Sequence, residues 1–322
     1  MNSAPRYPGR DAIVATAQAS IARGSRSFAA ASRLFARPER ERAWLLYAWC
    51  RACDDIADGQ DHGHGMRVLD DAPARIDRLE RLTEAALAGQ WVGEPAFDAL
   101  RIVAAETRLP AHMPRDLIAG FRMDADGWRP ATEDDLYRYC YHVAGVVGCM
   151  MAVVMGVDPG DDATLDRACD LGLAFQLANI ARDVAEDASV GRCYLPQSWL
   201  AEAGIDGHAL MAPDNRAPLA MLAARLAERA TAYEESARYG TPALSLRSAW
   251  AVLAAADIYG AIGRKVAALG PRALERRVST SATEKLGMII TSLGKAGTRA
   301  RRYPPTPRPE GLWTRPHRAA SA

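Results

Sequence analysis

Helical periodicity is nearly continuous from about residue 11 to residue 296, and it constrains this chain more than any other feature. Leu136, Tyr139, Cys140, Val143, Val147, Met150, Met151 and Val154 follow one another at steps of three or four, doubled where the apolar stripe is wide. The Ala/Leu-rich run Pro218–Tyr239 and the stretch Leu244–Leu269 repeat the pattern. No run alternates as a strand would. Gly and Pro punctuate the chain at Gly59–Gly65, Trp91–Pro95, Leu109–Pro114, Asp158–Asp161, Gly240–Pro242 and Gly270–Pro271. The pattern predicts an all-α, single-domain bundle of about ten helices.

The ends are expected to differ from the middle. Residues 1–10 are polar, carry Pro and Gly and lack an apolar signal core, so they read as a flexible N-terminus of a cytoplasmic protein. Residues 297–322 hold Arg299, Arg301, Arg302, Arg308, Arg315 and Arg318 among five prolines, with Glu310 as the one acid. Such a tail is expected to be disordered. Its arginines suggest peripheral contact with an anionic membrane surface, at the inner face of the membrane. The 322 residues carry a net charge of only +1, which gives no footprint for nucleic acid. At 49% hydrophobic they suffice for a sizeable core. No apolar run approaches the roughly 18 residues a bilayer span needs. Cys50 and Cys53 form a C-x-x-C without a second zinc half-site, and Cys140, Cys149 and Cys169 also fall in apolar helical patterns, as small core residues do.

Two acidic clusters interrupt apolar helices. Arg51-Ala-Cys-Asp54-Asp55-Ile-Ala-Asp58 follows the apolar run Ala43–Cys50, and Asn179-Ile-Ala-Arg182-Asp183-Val-Ala-Glu186-Asp187 follows Leu171–Ala178. Asp54 and Asp58 are four apart, as are Asp183 and Asp187, so each pair shares a helix face. Like charges so placed repel, and apolar neighbours raise the cost. A divalent cation removes it. Carboxylate oxygens suit magnesium or manganese, which complete their shells with water and substrate phosphate. Arg51 and Arg182 stand beside the acids as bidentate partners for phosphate oxygens. The bland alternative is a pair of exposed, charged helix faces.

Further motifs accompany these clusters: Gly24-Ser-Arg-Ser27-Phe28, Tyr47-Ala-Trp-Cys-Arg51, Tyr139-Cys-Tyr-His-Val143-Ala-Gly145-Val-Val-Gly148, and Gln176-Leu-Ala-Asn179 running through Asp187 to Gly191-Arg-Cys-Tyr194-Leu-Pro196. Together, over about residues 21–286, they resemble the squalene/phytoene synthase family, in wording nearest its bacterial phytoene synthases. The resemblance implies an isoprenoid-synthase helical bundle with a central cavity. It implies a prenyl transferase that condenses two geranylgeranyl diphosphates head to head, through prephytoene diphosphate, to phytoene with release of diphosphate, in carotenoid biosynthesis. It implies magnesium or manganese bound with the diphosphate, no nicotinamide cofactor, and association with neighbouring carotenoid-pathway enzymes. The sequence does not decide a requirement for ATP.

Residue by residue, the resemblance makes Asp54, Asp58, Asp183 and Asp187 metal ligands, with Asn179 as a neutral ligand between acids. Arg51, Arg182 and Arg277 would neutralise diphosphate, and Ser25 and Ser27 would donate to its oxygens. Phe28, Tyr47, Tyr139, Phe175 and Tyr259 would offer ring faces to carbocations or else pack the core. Val143, Gly148 and Gln176 would contact substrate. Gly145 and Gly148 admit either a prenyl chain or a second helix. Tyr194 belongs to a loop closing over the site. Ala29, Ala30, Ala31 and Ser32 would leave room for a long prenyl tail, or be small because helices pack closely there. His142 reads as a core histidine. His62 and His64 read as loop residues. The alternatives are a squalene or dehydrosqualene synthase acting on farnesyl diphosphate and, outside catalysis, a helical lipid-binding or scaffold protein.

Overall fold

The computed structural model describes residues 7–24, 31–58, 71–207 and 209–317, and does not describe the side chains of Gly24 and Asp58. Ser25, Ser27, Phe28, Ala29, Ala30, His62 and His64 lie outside the described residues. Every regular element among the described residues is helical. None of these helices is long and apolar enough to cross a membrane. The sequence reading drew one bundle through residues 11–296; the described residues group into two compact units. The chain crosses between them at residues 126/127, 149/150 and 160/161, and the second crossing falls inside one helix, where periodicity gives no mark.

The first unit comprises residues up to 126 together with 150–160. Its helices are α1 (Arg10–Gly24), α2 (Arg37–Asp58), α3 (Ala72–Leu87), α4 (Pro95–Thr107) and α5 (His112–Ala125). α1 buries Ile13, Ala17 and Ile21, one per turn, and packs against α2 and α4. α2 buries Ala43, Leu45, Leu46, Trp49 and Cys53, which leaves Tyr47, Arg51 and Asp54 half-buried on the remaining face. The flexible N-terminus expected for residues 1–10 needs correction at its end. The Arg10 guanidinium donates to Glu41 of α2 and Glu106 of α4, and the Tyr7 ring lies 4.7 Å from that of Trp91. Ahead of α4, the buried Asp98 carboxylate accepts the N–H groups of Val92 and Gly93 at 2.8 and 3.1 Å and closes the turn.

The second unit comprises residues 127–149 and those from 161 on. α6 (Glu133–Cys140) starts at a capping box in which Thr132 and Asp135 satisfy each other's backbone N–H. A π-helical turn, Tyr141–Gly145, leads into α7 (Val146–Val154). α8 (Asp162–Ser189) is the axis of the unit, contacting the π turn, α10 (Arg216–Arg238) and α11 (Leu246–Leu269), with the short α9 (Gln197–Glu202) between α8 and α10 in sequence. α12 (Ala282–Gly297) opens at a second capping box, Ser281 with Glu284, and α13 (Arg299–Arg302) follows. Gly148 and Gly172 set the approach of α7 and the π turn to α8. A Cβ on Gly148 would lie 2.3 Å from the Ala168 carbonyl oxygen, and one on Gly172 2.3 Å from that of Ala144. Helix packing therefore accounts for the bare backbone at Gly148, one of the two readings the sequence allowed.

The expectation of a disordered tail is corrected through residue 317. The Arg308 fork pairs with the wholly buried carboxylate of Asp170 on α8. Arg315 pairs with Asp162 and, at 2.8 Å, with Asp166. Arg167 Nη2 donates to the Thr306 carbonyl at 2.8 Å, and the Trp313 N–H donates to the Tyr233 hydroxyl at 3.0 Å. The arginines that made the tail read as solvated are what bind it to the body.

Candidate active site

On α2, apolar residues claim one face and leave Tyr47, Arg51 and Asp54, at steps of four and three, along another. Arg51 reaches forward one turn to Asp55, with Nε and Nη2 at 3.0 and 2.5 Å from Oδ1, and its Nη1 stands 3.6 Å from Asp54 Oδ2. Asp55 is thus the principal partner of Arg51, a role the sequence reading left unassigned although the i,i+4 spacing signalled it. Asp54 is the more open of the two carboxylates, 43% exposed against 18%. Burial pushes the Tyr47 hydroxyl up to about 12, against the pull of Arg51, so it is a phenol at neutral pH. Burial also pushes the Cys50 and Cys53 thiols up, which removes them as thiolates.

On α8, Leu173, Leu177, Ile180, Ala181 and Val184 are buried, while Gln176, Asn179, Asp183 and Asp187 run half-buried along a stripe at steps of three and four. Arg182, on the same helix, donates from Nε to Asp183 Oδ1 at 2.7 Å and from Nη2 to Oδ2. Arg277, from the segment after α11, donates to the same two oxygens at 3.1 and 3.2 Å. Its Nε also stands 3.6 Å from Glu186 Oε2, a residue quoted in the motif but given no role. The structure therefore brings Arg182 and Arg277 to one carboxylate.

The α8 terminus turns into the loop. The Asp187 carbonyl accepts the N–H of Val190 at 3.1 Å and of Arg192 at 2.9 Å, with Gly191 at φ +76° where a side chain would be strained. The turn carries Tyr194 back onto Tyr139 of α6, ring centroids 4.9 Å apart and planes within 19°. Trp128 also stacks on Tyr139, at 5.5 Å and 17°. Buried among these rings, Tyr139 has a packing role, the second of the two roles the sequence offered for it. Trp128 was missed, since nothing local in its sequence ties it to Tyr139. Beneath the loop, Ile180, Val184, Asp187, Arg192 and Tyr194 line a small cleft. Phe175 of α8 stacks on Tyr259 of α11 at 4.2 Å, and Phe175 lines a second small cleft with Ala174, Ala178 and Gly263. Val143 lies in the π turn and is half-buried.

The oxygen donors Asp54, Asp183, Asp187 and Asn179 are of the kind magnesium takes, and none of these residues brings a soft ligand. Among the described residues, no three acidic, histidine or cysteine side chains converge to hold an ion unaided. Each motif offers a short array that needs water or phosphate oxygens to complete a shell.

The chain belongs to the squalene/phytoene synthase family, whose family pattern matches residues 21–284. It is 51% identical over 297 residues to a 15-cis-phytoene synthase of Enterobacter agglomerans, covering 91% of this chain and 99% of that protein. A 15-cis-phytoene synthase of Paracoccus is 46% identical over 310 residues, covering 95% of this chain and 99% of the relative. Among solved structures, a dehydrosqualene synthase in complex with ligand superposes with a TM-score of 0.80 at 27% identity, covering 90% of this chain and 98% of that one. A squalene synthase from Alicyclobacillus acidocaldarius gives 0.70 at 25% identity, covering 81% and 95%. The fold is that of these helical isoprenoid synthases, and the chain is a prenyl transferase.

Proposed function

We propose that this enzyme condenses two molecules of geranylgeranyl diphosphate head to head, through prephytoene diphosphate, to phytoene, with release of diphosphate. The observation that carries this reading is the 51% identity to a phytoene synthase over 99% of that protein's length. The synthases of shorter products match at 27% and 25%. Arg51, Arg182 and Arg277 neutralise the departing diphosphate. Asp54, Asp58, Asp183, Asp187 and Asn179 are the residues that would hold magnesium or manganese, which when bound supplies Lewis-acid activation of the leaving group. The loop Gly191–Pro196, pinned by Tyr194, excludes water from the cation formed on ionisation. Mass identification of the product when farnesyl and geranylgeranyl diphosphate are offered together tests the reading. A C40 hydrocarbon is expected, and a C30 product would overturn it in favour of dehydrosqualene or squalene synthesis.

The second part of the proposal is peripheral contact with an anionic membrane surface on the cytoplasmic side, where neighbouring enzymes of the pathway would meet the hydrocarbon product. What supports it is α12. Leu286, Ile290 and Leu293 are 58, 62 and 44% exposed along one stripe. Between Arg276 and Pro309 the single acid is Glu284, which is paired with Lys265, while Arg276, Arg301 and Arg302 are exposed. An apolar stripe in a basic surround suits the interface of an anionic bilayer. The docking element is thus α12 with the start of the tail, Arg301 and Arg302, while Arg308 and Arg315 further on are taken up by acids of α8.

A further inference from the structure

Asp183 is coordinatively full. A carboxylate offers about four lone-pair positions, and here four guanidinium N–H groups occupy them. Oδ1 accepts from Arg182 Nε at 2.7 Å and Arg277 Nε at 3.1 Å; Oδ2 accepts from Arg182 Nη2 and from Arg277 Nη2 at 3.2 Å. A cation that takes Asp183 as an inner ligand must therefore displace a guanidinium. The two arginines are not equivalent. Arg182 is on the same helix, 14% exposed, and bonds more closely. Arg277 comes from a segment 94 residues away, is 56% exposed and bonds at greater length. Arg277 is the one that yields.

We infer that Arg277 is a counter-ion switch that makes metal entry at Asp183 conditional on diphosphate. In the ligand-free enzyme its fork holds the carboxylate and opposes the cation. When cation and diphosphate arrive together, the displaced guanidinium moves from carboxylate to phosphate, exchanging one bidentate charge-assisted contact for another. Cation alone receives no such compensation. Binding of the two is coupled through one side chain, and by linkage each raises the other's affinity by the same factor. The inference rests on the reading of Asp183 as a metal ligand and adds the order in which the site fills.

The test has opposite signs in two arms. Titrating Mn2+ alone, followed by the electron paramagnetic resonance signal of the free ion, should show Arg277→Gln binding about two- to fivefold more tightly than wild type, the scale of an exposed ion pair removed. Titrating preformed manganese–diphosphate by calorimetry should show the same variant binding roughly tenfold more weakly, the loss of one charge-assisted phosphate contact. Arg277→Lys, which keeps the charge without the fork, should fall between the two in both arms. Unchanged or weaker Mn2+ binding by Arg277→Gln overturns the switch, as does movement of both arms in one direction. Asp183→Asn separates the two levels. If it weakens binding of preformed manganese–diphosphate while Arg277→Gln leaves binding of Mn2+ alone unchanged, the metal reading stands and the switch falls. If it leaves binding of manganese–diphosphate unchanged, both fall. Far-ultraviolet circular dichroism of each variant confirms that the helices are retained.

Discussion

Arg308 lays its guanidinium across the carboxylate of Asp170, Nε 2.9 Å from Oδ2 and Nη2 2.6 Å from Oδ1, and so ties the C-terminal segment to the middle of α8. Asp170 has no exposed surface and also accepts from Ser236. Removing one member of such a pair leaves a buried charge without compensation. Arg308→Met should therefore destabilise the protein by about 3–5 kcal/mol, whereas Arg308→Met with Asp170→Leu should recover most of that loss. Thermal unfolding of the single and double variants checks this. Equal losses in the two would show that the cost lies in the contacts of Arg308 with Leu312, Trp313 and Thr314 rather than in an uncompensated Asp170 charge.

That pair also shows where sequence reading stopped. The helices were legible because burial imposes a period that a single segment displays by itself. The acid motifs were legible because repulsion at i,i+4 is a local anomaly asking for a partner. The tail was read as disordered because its composition cannot build a core of its own. Its partners Asp162, Asp166 and Asp170 do form a stripe at steps of four on α8, but nothing local links that stripe to arginines some 140 residues later. The same limit applies to Tyr139, whose stacking partner Trp128 is set by tertiary packing, and to Gly148, where the backbone it meets belongs to another helix. The pairing of Arg277 with Asp183 was not legible at all: resemblance made Arg277 a partner of diphosphate, and nothing local links it to a carboxylate 94 residues earlier.

Asp54→Asn and Asp183→Asn should each lower turnover far more than tenfold while leaving the helical content unchanged. Each substitution keeps the shape of the side chain and removes the charge that a metal-bound diphosphate needs nearby. Steady-state turnover with circular dichroism checks it. Activity within tenfold of wild type in either variant removes that carboxylate from the metal array.

Ser32 does not read as an adjustable cavity wall. It is wholly buried, and its hydroxyl accepts the Trp44 indole N–H at 2.9 Å. Ser32→Phe should overpack this contact, costing roughly 1–3 kcal/mol. Use of geranylgeranyl and farnesyl diphosphate should fall together, along with the melting temperature. A selective loss on the longer substrate at unchanged stability would restore Ser32 as a determinant of chain length.

The α12 capping box carries a pH signature. The Glu284 carboxyl is held down at about 2 by the Lys265 ammonium, with help from the Ser281 N–H. A depressed folded-state value stabilises the fold above the ordinary carboxyl value of 4.5, and that contribution is lost as pH falls from there through about 2. Glu284→Gln should therefore lower the melting temperature at pH 7, and the gap to wild type should narrow steadily below pH 4.5. A gap that is constant down to pH 2.5 would mean that the side chain caps through shape rather than charge.

The exposed stripe of α12 makes the membrane proposal measurable. Leu286, Ile290 and Leu293 each keep about half their surface in water, and transferring that surface into an interface is worth on the order of 1 kcal/mol per residue. Replacing all three with Ser should weaken binding to phosphatidylglycerol-rich vesicles by one to two orders of magnitude, since about 1.4 kcal/mol corresponds to tenfold. These side chains make few core contacts, so turnover of detergent-dispersed substrate and the melting temperature should stay near wild type. Arg301→Ser with Arg302→Ser should give a smaller loss that disappears at high salt, because it removes only the screened part of the attraction. Vesicle binding that survives the apolar triple substitution but falls with the arginine pair would make the contact purely electrostatic. Binding that survives both would place any membrane contact elsewhere on the protein.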